Sequence, residues 1–159
     1  MPNRKSIQTW FDEYSEYHKN ATNKVIHWIC IPLITFSLLG LLWEIPLPMS
    51  IASVSPWLNV ATLFFVASLI FYFRLSIPIA AGMALTAFIM LVMIATWDQR
   101  MPESLWKVCT AIFVVAWIGQ FIGHKVEGRK PAFIEDLQFL LIGPAWLLGF
   151  VYQRLGIRY

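Results

Sequence analysis

Five uncharged stretches alternate with short polar segments along this chain, running from Val25 to Trp43, Ile45 to Phe73, Leu75 to Trp97, Val108 to Gly123 and Leu137 to Gln153. A transmembrane helix needs about 20 mainly apolar residues, with a range of about 17 to 25. The pattern predicts four to five membrane-crossing helices, the fifth marginal because Pro144 interrupts it. Ahead of them, Ile7, Phe11, Tyr14 and His18 recur at helical spacing, Asp12, Glu13 and Glu16 take the other face, and Ser6 stands where a cap belongs. This amphipathic helix is expected to lie flat on the membrane surface. It reads as an interfacial segment rather than a cleavable signal, which would carry a short apolar core and a small-residue cleavage site. The predicted fold class is all-α, a polytopic membrane helical bundle, with residues 1–159 as one membrane domain.

The polar punctuation refines this outline. His18 and His27 are nine positions apart, about 900 degrees of rotation on one unbroken helix, so they can meet only if the chain turns between them. Asn20 to Asn23 can supply that turn, with Thr22 or Asn23 capping the first span and Pro32 freeing the carbonyl of Trp28 to make a kink. Pro46, Pro48, Ser50, Ser53, Ser55 and Pro56 make a loop on the far side, and Arg74 to Pro78 turn a hairpin. Spans two and three offer only Asn59, Thr62, Ser68, Thr86 and Thr96 as polar groups, which disfavours a pump or ion-coupled transporter. Met83, Met90 and Met93 read as packing, and Trp28, Trp43, Trp57, Trp97 and Trp106 as an interfacial aromatic belt.

Composition and charge agree with a membrane setting. The chain is 58% hydrophobic and 13% charged, against about 25% charged for a soluble domain. Eight basic residues, Arg4, Lys5, Lys19, Lys24, Arg74, Lys125, Arg129 and Lys130, flank one set of span ends, and Arg100, Lys107, Arg154 and Arg158 the other. The N-terminus is therefore expected to be cytoplasmic. No aromatic residues interleave with these charges, so they read as topology determinants and lipid-phosphate contacts rather than a nucleic-acid surface. Cys30 and Cys109 fall inside apolar runs toward opposite membrane faces, so buried free thiols are expected rather than a disulfide.

Candidate chemistry gathers at one face. The only histidines, His18, His27 and His124, all fall at the predicted cytoplasmic ends of spans. His124 and Glu127 are three apart and share a helical face, so they could offer nitrogen and carboxylate to one ion. Gly128 and Pro131 then end that helix, and Glu135 and Asp136 suit the N-terminal dipole of the next. Histidine plus carboxylate with open positions is a ligand type for non-haem Fe(II) and O₂ chemistry, whereas structural zinc prefers four closed ligands with more cysteine. Each histidine alone could equally be a hydrogen-bonded interfacial residue; three at one face favour ligation.

The pattern Tyr17-His18, Asn20, Ile26-His27 and Pro32, then Gln120-Phe121-Ile122-Gly123-His124, Glu127, Arg129-Lys130-Pro131-Ala132 and Leu141-Ile142-Gly143-Pro144, resembles the fungal 2-hydroxy fatty acid dioxygenase and its bacterial relatives. The resemblance spans nearly the whole chain and implies a multi-pass helical enzyme that uses Fe(II) and O₂ to remove one carbon from a 2-hydroxy fatty acid. It implies His18, His27 and His124 as the metal-binding and catalytic histidines, with a bacterial inner membrane as the setting. Glu127 is then expected as a fourth ligand or as a hydrogen-bond partner to a ligating imidazole. A 2-hydroxycarboxylate can chelate iron through its hydroxyl and one carboxylate oxygen. Lys125, Arg129 or Lys130 could draw that carboxylate to the interface while the acyl chain stays among the helices. The partners expected are membrane lipid, the 2-hydroxy acid and O₂, with no nucleic acid; the sequence specifies no oligomeric state. The competing class is a non-catalytic membrane scaffold or lipid-binding protein, with a small transporter ranked third.

Overall fold

The computed structural model describes residues 5–159 and, among them, is entirely helical. Arg4, counted above for topology, lies outside the described residues. The elements are α1 (Ile7–Glu16), α2 (Ala21–Trp43), the single turn α3 (Met49–Ala52), α4 (Val60–Phe73), α5 (Ile77–Arg100), α6 (Pro102–Glu127), a 3₁₀ turn (Ala132–Ile134) and α7 (Phe139–Leu155).

Helix α1 starts where Ser6 Oγ accepts the Thr9 N–H at 3.1 Å, and it buries Ile7, Trp10, Phe11 and Tyr14. That apolar face is covered by α7 rather than by lipid. Trp10 meets Phe139 edge-on at 5.3 Å, and Trp146 Nε1 donates to Ser15 Oγ at 2.9 Å. Asn20, not Thr22 or Asn23, caps α2, because its Oδ1 can reach the N–H groups of both at 2.9 and 3.4 Å. The helix consequently begins at Ala21 and places His27 in its second turn.

Among the described residues, three helices are long and apolar enough to cross a membrane: Ala21–Trp43, Ile77–Arg100 and Glu103–Glu127. Of the five spans expected, the second and fifth form shorter helices of 14 and 17 residues, about 21 and 26 Å at 1.5 Å per residue, against roughly 30 Å of hydrocarbon. The uncharged stretch after Ile45 is long only because it includes the Pro and Ser loop, and α4 starts at its Asn59 cap, where Oδ1 accepts the Thr62 N–H at 3.0 Å. Leu85, Phe88 and Met93 on α5 and Val115, Ile118 and Phe121 on α6 leave broad apolar bands exposed in mid-helix, as lipid-facing helices do. These features make the chain a membrane-associated helical bundle.

The longest helix interface pairs α2 with α6, and small residues make it close. A Cβ at Gly119 would collide with Cys30 Sγ, one at Gly123 with Asn23 Oδ1, and one at Gly40 with Cys109 Sγ. Gly119 and Gly123 are four apart, the small-xxx-small spacing that lets two helix backbones approach inside a membrane. Both cysteines are buried and unbridged, each filling the space opposite a glycine. Gly128, at φ 74°, then ends α6 in the left-handed conformation, which places His124 in the last turn.

Candidate metal centre

Three elements converge on one buried point. His18 lies in the turn after α1, His27 in the second turn of α2 and His124 in the last turn of α6; they are 1%, 1% and 5% exposed. Their ring centroids stand 4.2, 5.0 and 5.2 Å apart, and each offers a nitrogen within 4.8 Å of the other two. The reversal at Asn20 makes this possible, since it returns the chain so that His18 and His27 face each other instead of pointing apart.

Hydrogen bonding fixes the state of two of these rings. His18 Nδ1 lies 2.6 Å from the carbonyl oxygen of Tyr14, and His27 Nδ1 lies 3.0 Å from that of Asn23. A carbonyl only accepts, so each Nδ1 carries the proton and each Nε2 is left with a lone pair. Those two Nε2 atoms face each other at 2.8 Å. Two lone pairs this close, with no hydrogen between them, repel unless a cation sits beside both. His124 Nδ1 is buried and has no hydrogen-bond partner, a further group that a cation would satisfy. Two nitrogens that each bind one divalent ion at about 2.1 Å stand roughly 3 Å apart when at right angles, so the spacing suits a shared ion.

Burial supports the same state. It pushes His18 down from its ordinary value to about 4, so the ring is neutral near pH 7 and its lone pair is available. The Tyr14 ring stacks on His18 at 4.1 Å and 22°, which orients the imidazole together with the Tyr14 carbonyl. The carbonyl partners are what a ligating imidazole ordinarily uses on its far nitrogen.

Glu127 has a different place from the one expected. Its carboxylate hydrogen-bonds to no imidazole but accepts the backbone N–H of Lys19 at 2.8 Å, that of Asn20 at 2.9 Å and Asn23 Nδ2 at 3.0 Å. These donors stand at the start of α2, where orphaned N–H groups and the helix dipole favour an anion. Glu127 thus ties the end of α6 to the turn between His18 and His27, and it lies outside the three-nitrogen group.

The basic residues are also elsewhere. Lys125 and Lys130 are exposed, and Arg129 donates to the Glu16 carbonyl at 3.1 Å across an open cleft shared with Lys5, Glu13, Tyr17 and Glu135. None of the three lines the cavity of about 60 Å³ beside His27 and His124. Its wall is mostly apolar, from Ile31, Ile34, Trp117, Phe133, Phe139 and Leu140, with Tyr14, Thr35 and Gln120 as the other polar side chains. Glu135 and Asp136 have structural roles: Glu135 accepts the Tyr17 hydroxyl, and Asp136 Oδ1 accepts the Gln138 N–H at 2.9 Å just before α7.

Two residues around the cluster have a place the sequence reading did not give them, since it took Asn23 only for the turn and cap and Gln120 only as part of the family pattern. Asn23 and Gln120 each sit four residues before a histidine, on the same helical face as His27 and His124, and that spacing alone could have found them.

The fold and this cluster define an all-helical, membrane-associated protein with three histidines converging on one buried point. Residues 4–155 match the family described as 2-hydroxy-palmitic acid dioxygenase Mpo1-like. The chain is also 32% identical over 145 residues to the 2-hydroxy-palmitic acid dioxygenase MPO1 of Saccharomyces cerevisiae, a match covering 90% of this chain and 78% of the yeast protein. No solved structure matches. The chain belongs to the Mpo1-like family.

Proposed function

We propose that this protein is a non-haem Fe(II)-dependent dioxygenase that shortens 2-hydroxy fatty acids by one carbon at the cytoplasmic surface of a bacterial inner membrane. The observation that carries the reading is the pair of Nε2 lone pairs on His18 and His27, face to face at 2.8 Å, with a His124 ring nitrogen within 4.8 Å of the group. The printed activity of the yeast relative adds the substrate class. His18, His27 and His124 would hold the metal. Three neutral nitrogens with no thiolate among them suit a catalytic ion with open positions better than a closed structural zinc. An iron held there would supply open coordination positions and the redox capacity for reaction of the 2-hydroxy acid with O₂.

The chain's own residues do the rest. Tyr14 and Asn23, through their carbonyls, keep the imidazoles of His18 and His27 in the ligating tautomer. Glu127 is assigned as a positioning residue that holds the intervening turn. The apolar walls of the cavity limit access of bulk water to the reacting carbon. With O₂ as sole oxidant, the balanced outcome is one 2-hydroxy acid and one O₂ giving the acid one carbon shorter, CO₂ and water. The test is anaerobic loading of purified protein with ferrous iron, followed by O₂ and labelled 2-hydroxyhexadecanoic acid. The expected product is the fifteen-carbon acid; recovery of unchanged substrate from iron-loaded protein contradicts the reading.

A further inference from the structure

Gln120 is 5% exposed and lines the histidine cavity one helical turn before His124, yet its Nε2 has no hydrogen-bond partner. A buried amide donor left unpaired costs about 1–3 kcal/mol, so such a group calls for a ligand that accepts from it. Among the described residues no cationic side chain lines the cavity, and its other polar groups are Tyr14, Thr35 and the two histidines. Thr35 Oγ1 already donates to the Ile31 carbonyl at 2.9 Å. A carboxylate entering this space therefore has the Gln120 amide to meet, with the Tyr14 hydroxyl as the other donor that no hydrogen bond occupies among the described residues.

We infer that Gln120 Nε2 donates to the carboxylate of the 2-hydroxy acid, which makes it the residue that selects acids over neutral 2-hydroxy lipids. The inference rests on the reaction proposed above. A hydrogen bond to a charged acceptor is about twice as strong as a neutral one and sets orientation as well as affinity. Gln120→Leu, of similar volume, should retain iron and raise KM for 2-hydroxyhexadecanoic acid roughly 10- to 100-fold with a smaller change in kcat. Gln120→Glu, which sets one carboxylate against another, should be worse. Anaerobic binding of the labelled acid to iron-loaded protein gives a second readout, with the 1,2-diol of the same chain length as a competitor that lacks the carboxylate. Preference for acid over diol should shrink in Gln120→Leu. An unchanged preference and KM overturn the assignment, as does loss of iron from the variant, which would place Gln120 in metal binding. If the unaltered protein turns over no 2-hydroxy acid, the proposed reaction falls and this inference with it.

An independent observation extends the site into the membrane. A second cavity of about 150 Å³ lies between α2, α5 and α7, lined by Pro32, Met83, Thr86, Met90, Pro144 and Leu147 among others. Ile31, Thr35 and Pro144 line both this cavity and the one at the histidines. Pro32 and Pro144, each without a backbone N–H to donate inside its helix, both line the gap. The geometry points to the acyl chain of the same 2-hydroxy acid as its occupant, passing from the histidines between the two prolines. Thr86 is exposed on the outer wall and bonds only to the Gly82 carbonyl of its own helix, so Thr86→Phe should narrow the cavity without unfolding the bundle. It should raise KM for the sixteen-carbon acid at least about fivefold and leave the eight-carbon acid unchanged. Equal effects on both lengths, or none, overturn the acyl assignment while the turnover itself keeps the reaction standing.

Discussion

Glu127 Oε2 accepts the backbone N–H of Asn20 at 2.9 Å, so the last turn of α6 holds the turn that separates His18 from His27. The same carboxylate takes Lys19 N–H and Asn23 Nδ2, three donors that belong to the entry of α2. A residue that positions ligands without binding the ion weakens the site when removed but does not abolish it. Glu127→Ala should lower Fe(II) affinity about 10- to 100-fold, the range typical of partners that orient ligands, and Glu127→Gln should fall between it and the unaltered protein. Anaerobic Fe(II) titration of the three proteins checks this.

The close approach of α2 and α6 yields a second expectation. Gly123→Val would push a side chain into Asn23, and Gly119→Leu into Cys30, forcing the helices apart where His27 and His124 meet. Each should destabilise the bundle by about 1–3 kcal/mol, and Gly123→Val should also weaken metal binding because it adjoins His124. Thermal unfolding in detergent, run with metal analysis, separates the two effects.

The exposed positions of Lys125 and Lys130 argue against contact between them and a substrate held at the histidines. The double variant Lys125→Ala, Lys130→Ala should keep KM for a 2-hydroxy acid within about twofold, since surface charges screened by salt contribute little to a site they do not reach. A steady-state assay at physiological ionic strength measures it.

His18 contributes to the pH behaviour of the metal-free protein. Burial lowers its pKa from an ordinary 6.5 to about 4, so the unfolded chain binds its proton more readily than the folded one. Its contribution to stability is therefore fully present above pH 6.5 and is lost as pH falls through about 4, a difference on the order of 3 kcal/mol. Thermal midpoints of metal-free protein should decline across that window, and a His18→Gln variant should decline less.

Much of this architecture was legible because it depends on spacing. The α1 face of Ile7, Phe11 and Tyr14, the reversal near Asn20 and the stop at Gly128 all follow from local rules that the structure obeys. The length of α4 was not legible, because an uncharged run counts the prolines and serines of a loop as readily as a helix. The place of Glu127 was hidden for another reason. Its spacing from His124 allowed a shared ion, but which donors a carboxylate meets depends on how two distant segments pack, and here the N–H groups at the start of α2 reach it first. Lys125, Arg129 and Lys130 stood at the correct membrane face, yet face alone does not decide whether a side chain reaches a buried cavity. The spacing of Gln120 from His124 was legible, but its unpaired amide is a fact of packing.

Metal stoichiometry tests the central claim most directly. Purified protein loaded anaerobically with Fe(II) and freed of excess should hold close to one iron per chain, and His27→Ala should hold almost none while keeping its helical content. Equal iron in the two proteins would contradict a shared ion among His18, His27 and His124.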